Sequence, residues 1–136
     1  MEVIIDTCVL INAIYDQHDD CWEILRLLRV KSIIPIVSEA LAREYIFIPA
    51  KVLFKSLEDK FCRRELVLKD FAYAQNRVYE IQYAMMKIIM TSGKQVVVTS
   101  KTKYSSDQDD DKLVNLAIDS NCPVIITNNK ADFRQV

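Results

Sequence analysis

Four short apolar runs limit what this chain can fold into. They are Val3-Ile4-Ile5, Ile33-Ile34-Pro35-Ile36-Val37, Gln95-Val96-Val97-Val98-Thr99 and Val124-Ile125-Ile126-Thr127. Each is rich in β-branched residues and apolar on both faces, as in strands buried in a parallel sheet. Between them, apolar residues recur three and four apart, the spacing of helices. Strands alternating with helices predict a three-layer α/β/α sandwich around a central, mainly parallel sheet of about four to five strands. The 136 residues suffice for one domain over 1–136, and the chain carries no repeat and no linker.

The first run leads straight into Asp6 and Thr7, either of which can cap a helix over about Thr7–Tyr15. The polar stretch Asp16–Asp20 breaks it, and Cys21–Val30 follows as an amphipathic helix. Pro35 suits an edge strand better than an inner one. Ser38 is an N-cap for a helix over Glu39–Ile48 that ends near Pro49. From Lys51 to Ser92 the pattern is helical almost throughout. Phe71, Ala74, Val78, Ile81, Met85 and Ile88 form a regular stripe there, and Gly93 closes it as a C′ residue would. Asp107–Asp111 opens a helix through Lys112–Ile118, which Asn121-Cys122-Pro123 ends.

Composition excludes several classes. Half the residues are hydrophobic, with one Gly and three Pro, so the chain is neither disordered nor fibrous. No apolar run approaches the roughly 18 residues of a membrane span, and no signal peptide opens the chain. A cytoplasmic protein is expected, with no membrane partner. The four cysteines are scattered without a CxxC pair and the only histidine is His18, which disfavours zinc. The net charge of −1 does not announce nucleic-acid binding, although an acidic site would mask a basic rim in that sum. Lys51, Lys55, Lys60, Arg63, Arg64 and Lys69 interleave with apolar residues. They form either a solvated helix face or a basic wall for a phosphate backbone.

The acids carry the chemistry. Asp6 follows the first strand, Glu44 lies on the helix after the second, Asp107–Asp111 start the helix before the fourth, and Asp132 follows the fourth. In a doubly wound sheet these places converge at the edge where ligands bind. Hard cations such as Mg²⁺ or Mn²⁺ take oxygen ligands, and a cation held there would activate water against a phosphodiester. Acids in a first helical turn also complement the helix dipole, which accounts for Asp109 and Asp110 without metal. Periodicity alone does not choose between Asp109 and Asp111.

The order of these pieces resembles the PIN-domain nucleases. Val3-Ile4-Ile5-Asp6-Thr7-Cys8-Val9-Leu10-Ile11 is similar to the family's opening block, where Asp-Thr-Asn-Val-Leu is usual. Val37-Ser38-Glu39-Ala40-Leu41-Ala42-Arg43-Glu44-Tyr45 resembles the second block, with its Glu at Glu44. Asp107 to Ala117 resembles the third, whose register selects Asp111. Ile125-Ile126-Thr127-Asn128-Asn129-Lys130-Ala131-Asp132-Phe133 resembles the last. The resemblance spans nearly the whole chain in the right order. It departs at Cys8, where Asn is usual, at Asn12, where some members carry an acid, and at Asn129, where many carry Asp. A Thr-x-Asn-x-x-Asp-Phe variant of the family makes Asp132 the fourth acid.

The resemblance implies a Mg²⁺- or Mn²⁺-dependent endoribonuclease, most often the toxin of a bacterial or archaeal toxin–antitoxin pair of the VapC type. Asp6, Glu44, Asp111 and Asp132 are then the catalytic and metal-binding set. Thr7, Asp109, Thr127 and Asn129 are secondary candidates, and Lys51, Lys55, Arg63, Arg64 and Lys130 candidate RNA contacts. The alternative is a PIN-like module that has lost catalysis and binds RNA or assembles. A phosphate-binding protein of the flavodoxin or receiver type is disfavoured, because no Gly-rich loop is present. The long stripe, with Phe47, Val52, Phe54 and Phe61, predicts a homodimer or a groove for a small antitoxin-like protein.

Overall fold

Every strand points the same way, and the first is an inner one. The computed structural model describes residues 1–16, 19–64, 68–104 and 108–128. In chain order the elements are β1 (Glu2–Ile5), α1 (Thr7–Ile11), a π-helical turn (Asn12–Asp16), α2 (Asp19–Arg29) and β2 (Ile34–Val37). They continue with α3 (Glu39–Cys62), α4 (Leu68–Ser92), β3 (Lys94–Gln95), α5 (Gln108–Ser120) and β4 (Ile125–Ile126). The sheet order is β3-β2-β1-β4, all parallel. The α/β/α sandwich is therefore the observed fold. Helices α1 to α4 accompany the crossovers in one direction. The return crossover through α5 runs the other way, and right-handedness puts it on the opposite face.

Val3, Ile4 and Ile5 have no exposure and lie at the centre of a core that includes Leu10, Ile36, Leu41, Ile89, Leu113 and Leu116. Ile5 is level with Ile126, and Val37 with Gln95. The residues that follow, Asp6, Thr127, Ser38 and Val96, thus leave the sheet along one edge. The strand order changes direction between β1 and β4, and such a switch point opens a crevice at the carboxyl ends.

Several boundaries differ from expectation. The third strand is only Lys94–Gln95; Val96 N–H still donates to the Val37 carbonyl of β2, and from Thr99 onward the backbone is taken up by α5 instead, as described below. The fourth is reduced to Ile125–Ile126. The first helix ends at Ile11 and widens into the π-helical turn.

Pro35 sits in an inner strand, opposite Val3. Ile34 N–H donates to Met1 O on the β1 side, so the nitrogen of Pro35 faces the β3 side. Pairing with β3 begins only at Ile36, one residue later, and no ladder bond is lost. Pro49 does not end its helix, since α3 continues to Cys62. Pro49 removes one N–H and crowds the preceding turn. There the buried Gln82 of α4 donates to the Ile46 carbonyl at 3.2 Å.

Gly93 does follow the last residue of α4, but not in the left-handed conformation, as no glycine has positive φ. Its reason is space. A Cβ there would collide with the Ile89 carbonyl and lie 3.2 Å from the Pro35 carbonyl, both backbone groups that cannot swing aside. Gly93→Ala is expected to destabilise the fold by about 1–3 kcal/mol, as overpacking does, read as a lower urea midpoint at unchanged slope.

Candidate active site at the carboxyl edge of the sheet

Asp6 leaves β1 in extended conformation (φ −68°, ψ 142°) as the N-cap of α1, without a side-chain capping bond. Its carboxylate is used across the sheet, where Oδ2 accepts the Thr127 hydroxyl at 2.7 Å. Both residues stand one step beyond the paired Ile5 and Ile126, so parallel register brings them together. Thr7 is buried, and its hydroxyl has no hydrogen-bond partner among the described residues. The Cys8 sulfur lies 3.9 Å from Thr127 Oγ1. Burial pushes the Cys8 thiol up and the Asp6 charge adds to this, against a lowering backbone hydrogen bond from Asn128. Where Asn is usual, this chain therefore keeps a protonated thiol that adds no charge.

Glu44 lies early in α3, which Ser38 caps by accepting Leu41 N–H at 3.1 Å. Beside it, Tyr45 is fully buried and donates its hydroxyl to the Ile5 carbonyl, the last of β1. Burial raises the Tyr45 pKa well above its usual value, and the charges of Asp6 and Glu44 add to it. One hydroxyl thus feels both acids. The folded chain holds a proton that the unfolded chain releases at the ordinary tyrosine value. Stability is therefore intact at neutral pH and declines as pH rises past that value. Tyr45→Phe should cost about 1–3 kcal/mol at pH 7 by leaving a buried carbonyl short of a donor, and should flatten the alkaline decline. Denaturant midpoints at neutral and alkaline pH check both effects.

Asp110 and Asp111 are buried in the first turn of α5. Asp111 Oδ1 accepts Tyr104 N–H at 2.8 Å. One turn on, Asn115 pairs both ways with the Thr102 backbone, at 3.2 and 3.1 Å. A further turn on, Asp119 accepts Thr99 N–H at 2.7 Å, Ser100 N–H at 2.9 Å and the Ser100 hydroxyl at 2.5 Å. These bonds, the hydroxyl's first, hold the Asp119 pKa below its usual value. Positions 111, 115 and 119 share one helix face. They bind residues 99–104 to α5 by side chains, which is why that segment forms no strand.

Next to Asp111, Lys112 makes an ion pair with Glu44 that joins α5 to α3. The structure thus brings Asp6 and Thr127 together, and joins Glu44 to the residue after Asp111, without drawing Asp6, Glu44 and Asp111 into one cluster. Asp132, Asn129 and Lys130 lie outside the described residues, as does the Asp109 side chain. The basic candidates are not gathered there. At about 1.5 Å per residue, Lys51 and Lys55 lie about 10 and 16 Å beyond Glu44 along α3, and Arg63 and Arg64 about 28 Å beyond. All four are exposed. Reading the sequence missed Lys112, Tyr45, Asn115 and Asp119; the four-residue spacing of polar positions in an otherwise apolar helix was the available signal.

Carboxylates and a buried hydroxyl are the donors hard divalent cations take. Among the described residues, no three acids, cysteines or histidines form a cluster able to hold a metal ion. The donor types present suit such a cation, but the described residues alone do not assemble a ligand set for it.

A search of curated proteins and of solved structures finds no match to this chain. The sequence model of the PIN domain matches residues 2–131, almost the full length. PIN domains are generally nucleases that use divalent metal ions. With the parallel sheet and its Asp6 edge in place, the match settles the family: the chain belongs to the PIN domain proteins.

Proposed function

We propose that this chain is a Mg²⁺- or Mn²⁺-dependent endoribonuclease that hydrolyses RNA phosphodiester bonds and serves as the toxin of a toxin–antitoxin pair. The observation that carries the reading is the match of residues 2–131 to the PIN domain, with Asp6 buried at the carboxyl end of β1 and tied there by the Thr127 hydroxyl. Asp6, Asp111 and Asp132 would hold the cation, with Glu44 completing its shell or orienting the attacking water. When bound, the cation supplies a more acidic water and positive charge against the phosphate. Thr127 fixes Asp6 by its hydroxyl, and Tyr104 N–H fixes Asp111. Lys51 and Lys55 lie on the α3 surface that RNA would follow.

Two apolar surfaces support protein partners. Phe47, Phe54 and Phe61 recur every seven residues along α3, and all are exposed, Phe47 by 66%. That line suits a second copy of the chain. Between α2 and α4, Trp22, Leu25, Ile81, Met85 and Ile88 line a groove of about 440 Å³, suited to an apolar helix of a small antitoxin. Part of the stripe thus borders open space, while Val78, Ile81 and Ile88 also pack on the core.

The test is cleavage of single-stranded RNA with added metal. Mg²⁺ or Mn²⁺ should support it, EDTA should abolish it, and Ca²⁺ should support little, because it holds its ligands loosely and at longer distance. Full activity in EDTA would overturn the metal mechanism. A second reading, a non-catalytic RNA-binding module, is favoured by Lys112 lying on Glu44. RNA binding without cleavage under any of these metals would select it.

A further inference from the structure

Helix α5 holds one length of chain at a regular step. Asp119 accepts Ser100 N–H, Asn115 pairs with the Thr102 backbone, and Asp111 accepts Tyr104 N–H. Each step along α5 is four residues, or about 6 Å. The held segment takes two residues for the same step, so it advances about 3 Å per residue, as an extended chain does. Alternate side chains of an extended chain share a side. Lys101 and Lys103 therefore project the same way, about 6 Å apart. Both are exposed, and neither side chain has an ion-pair or hydrogen-bond partner among the described residues. Other cations differ: Arg26, Arg43 and Arg77 pair with acids of their own helices, Lys94 with Glu2 and Lys112 with Glu44. On α5, the Asp111 and Asp119 carboxylates are engaged by backbone N–H groups instead. The N–H that Asp111 holds belongs to Tyr104, the residue directly after Lys103.

Resting on the reading of this chain as a ribonuclease, we propose that Lys101 and Lys103 bind two phosphates of single-stranded RNA and lead the strand along α5 toward Asp111. An ammonium is a compact charge with three donors, which suits a phosphate oxygen. Such contacts fix the register and direction of a strand and carry no sequence information. The backbone under the two lysines is already held by α5, so binding has less chain to order. Lys51 and Lys55 on α3 lack such a support, being placed only by their helix. The pair was not legible in the sequence because its alternation depends on the bonds to α5.

Anisotropy of fluorescein-labelled decauridylate and decaadenylate, followed in EDTA across a salt series, tests this without cleavage or metal. Each phosphate contact on a single strand contributes about 0.7 to the slope of log affinity against log salt. The double variant Lys101→Gln/Lys103→Gln should therefore lose about 1.4 from that slope, and weaken on both RNAs alike. Lys101→Arg/Lys103→Arg should keep the parent slope, because the charges stay. Lys87→Gln should keep it too, as that exposed lysine lies on α4, across the sheet from α5. Should the double variant fail to fold, the two single glutamine variants decide, each with a loss of about 0.7. If the parent binds both RNAs and the glutamine variants keep its slope, the two are ordinary surface lysines and this proposal alone is overturned. An equal loss in Lys87→Gln overturns it as well. A parent that binds neither RNA overturns the RNA reading itself, and this proposal with it.

Discussion

Asp6→Asn and Asp111→Asn are each expected to cut RNA at least about a thousandfold more slowly than the parent in Mn²⁺, while unfolding at nearly the same denaturant midpoint. The rate follows from losing a ligand to an ion that contributes several kcal/mol to the transition state, where about 4 kcal/mol is a thousandfold. The retained fold follows from the contacts. Asn keeps an oxygen that can accept the Thr127 hydroxyl at position 6, or Tyr104 N–H at position 111. A single-turnover cleavage assay beside a urea melt checks both halves. A variant that cuts as fast as the parent would remove that residue from the site.

The second large effect concerns assembly. Phe47→Glu should convert a dimer to monomers and leave the fold intact, because Phe47 is mostly exposed within one chain. In a two-fold contact the same change occurs on both partners. Loss of a buried aromatic anchor costs about 2 kcal/mol or more. Two such losses weaken dimerisation by about 4 kcal/mol, or about a thousandfold. Sedimentation velocity at micromolar concentration, with circular dichroism for the fold, checks it. A parent that sediments as a monomer, with no partner recovered on pull-down, would refute the assembly proposal.

The elements that fix the fold were legible because they rest on local signals. Val3-Ile4-Ile5 announces a buried parallel strand, and Asp6 after it lies at the sheet edge by connectivity alone. Ser38 announces the start of α3 through a bond that needs only three residues. What failed depended on distant partners. Pro49 normally argues for a helix end, but Tyr45 and Leu53 bury the helix on both sides of it, and Gln82 from α4 meets the disturbed turn. Val96-Val97-Val98 reads as a strand, yet Asp111, Asn115 and Asp119 hold the backbone just beyond it away from the sheet, and Val97 is exposed. Pro35 argues for an edge only while the start of β3 is unknown. At the site, Asp6, Glu44 and Asp111 were named from their places after strands and from family resemblance. Lys112 was not, because an ion pair between α3 and α5 has no short-range signature.

The most direct test of the central claim, that Asp6 and Asp111 hold the catalytic cation, is anomalous diffraction from crystals soaked in Mn²⁺. The account predicts a peak within about 2.0–2.6 Å of carboxylate oxygens of both Asp6 and Asp111. A well-ordered carboxyl edge without such a peak, or Mn²⁺ bound only by other residues, would contradict it.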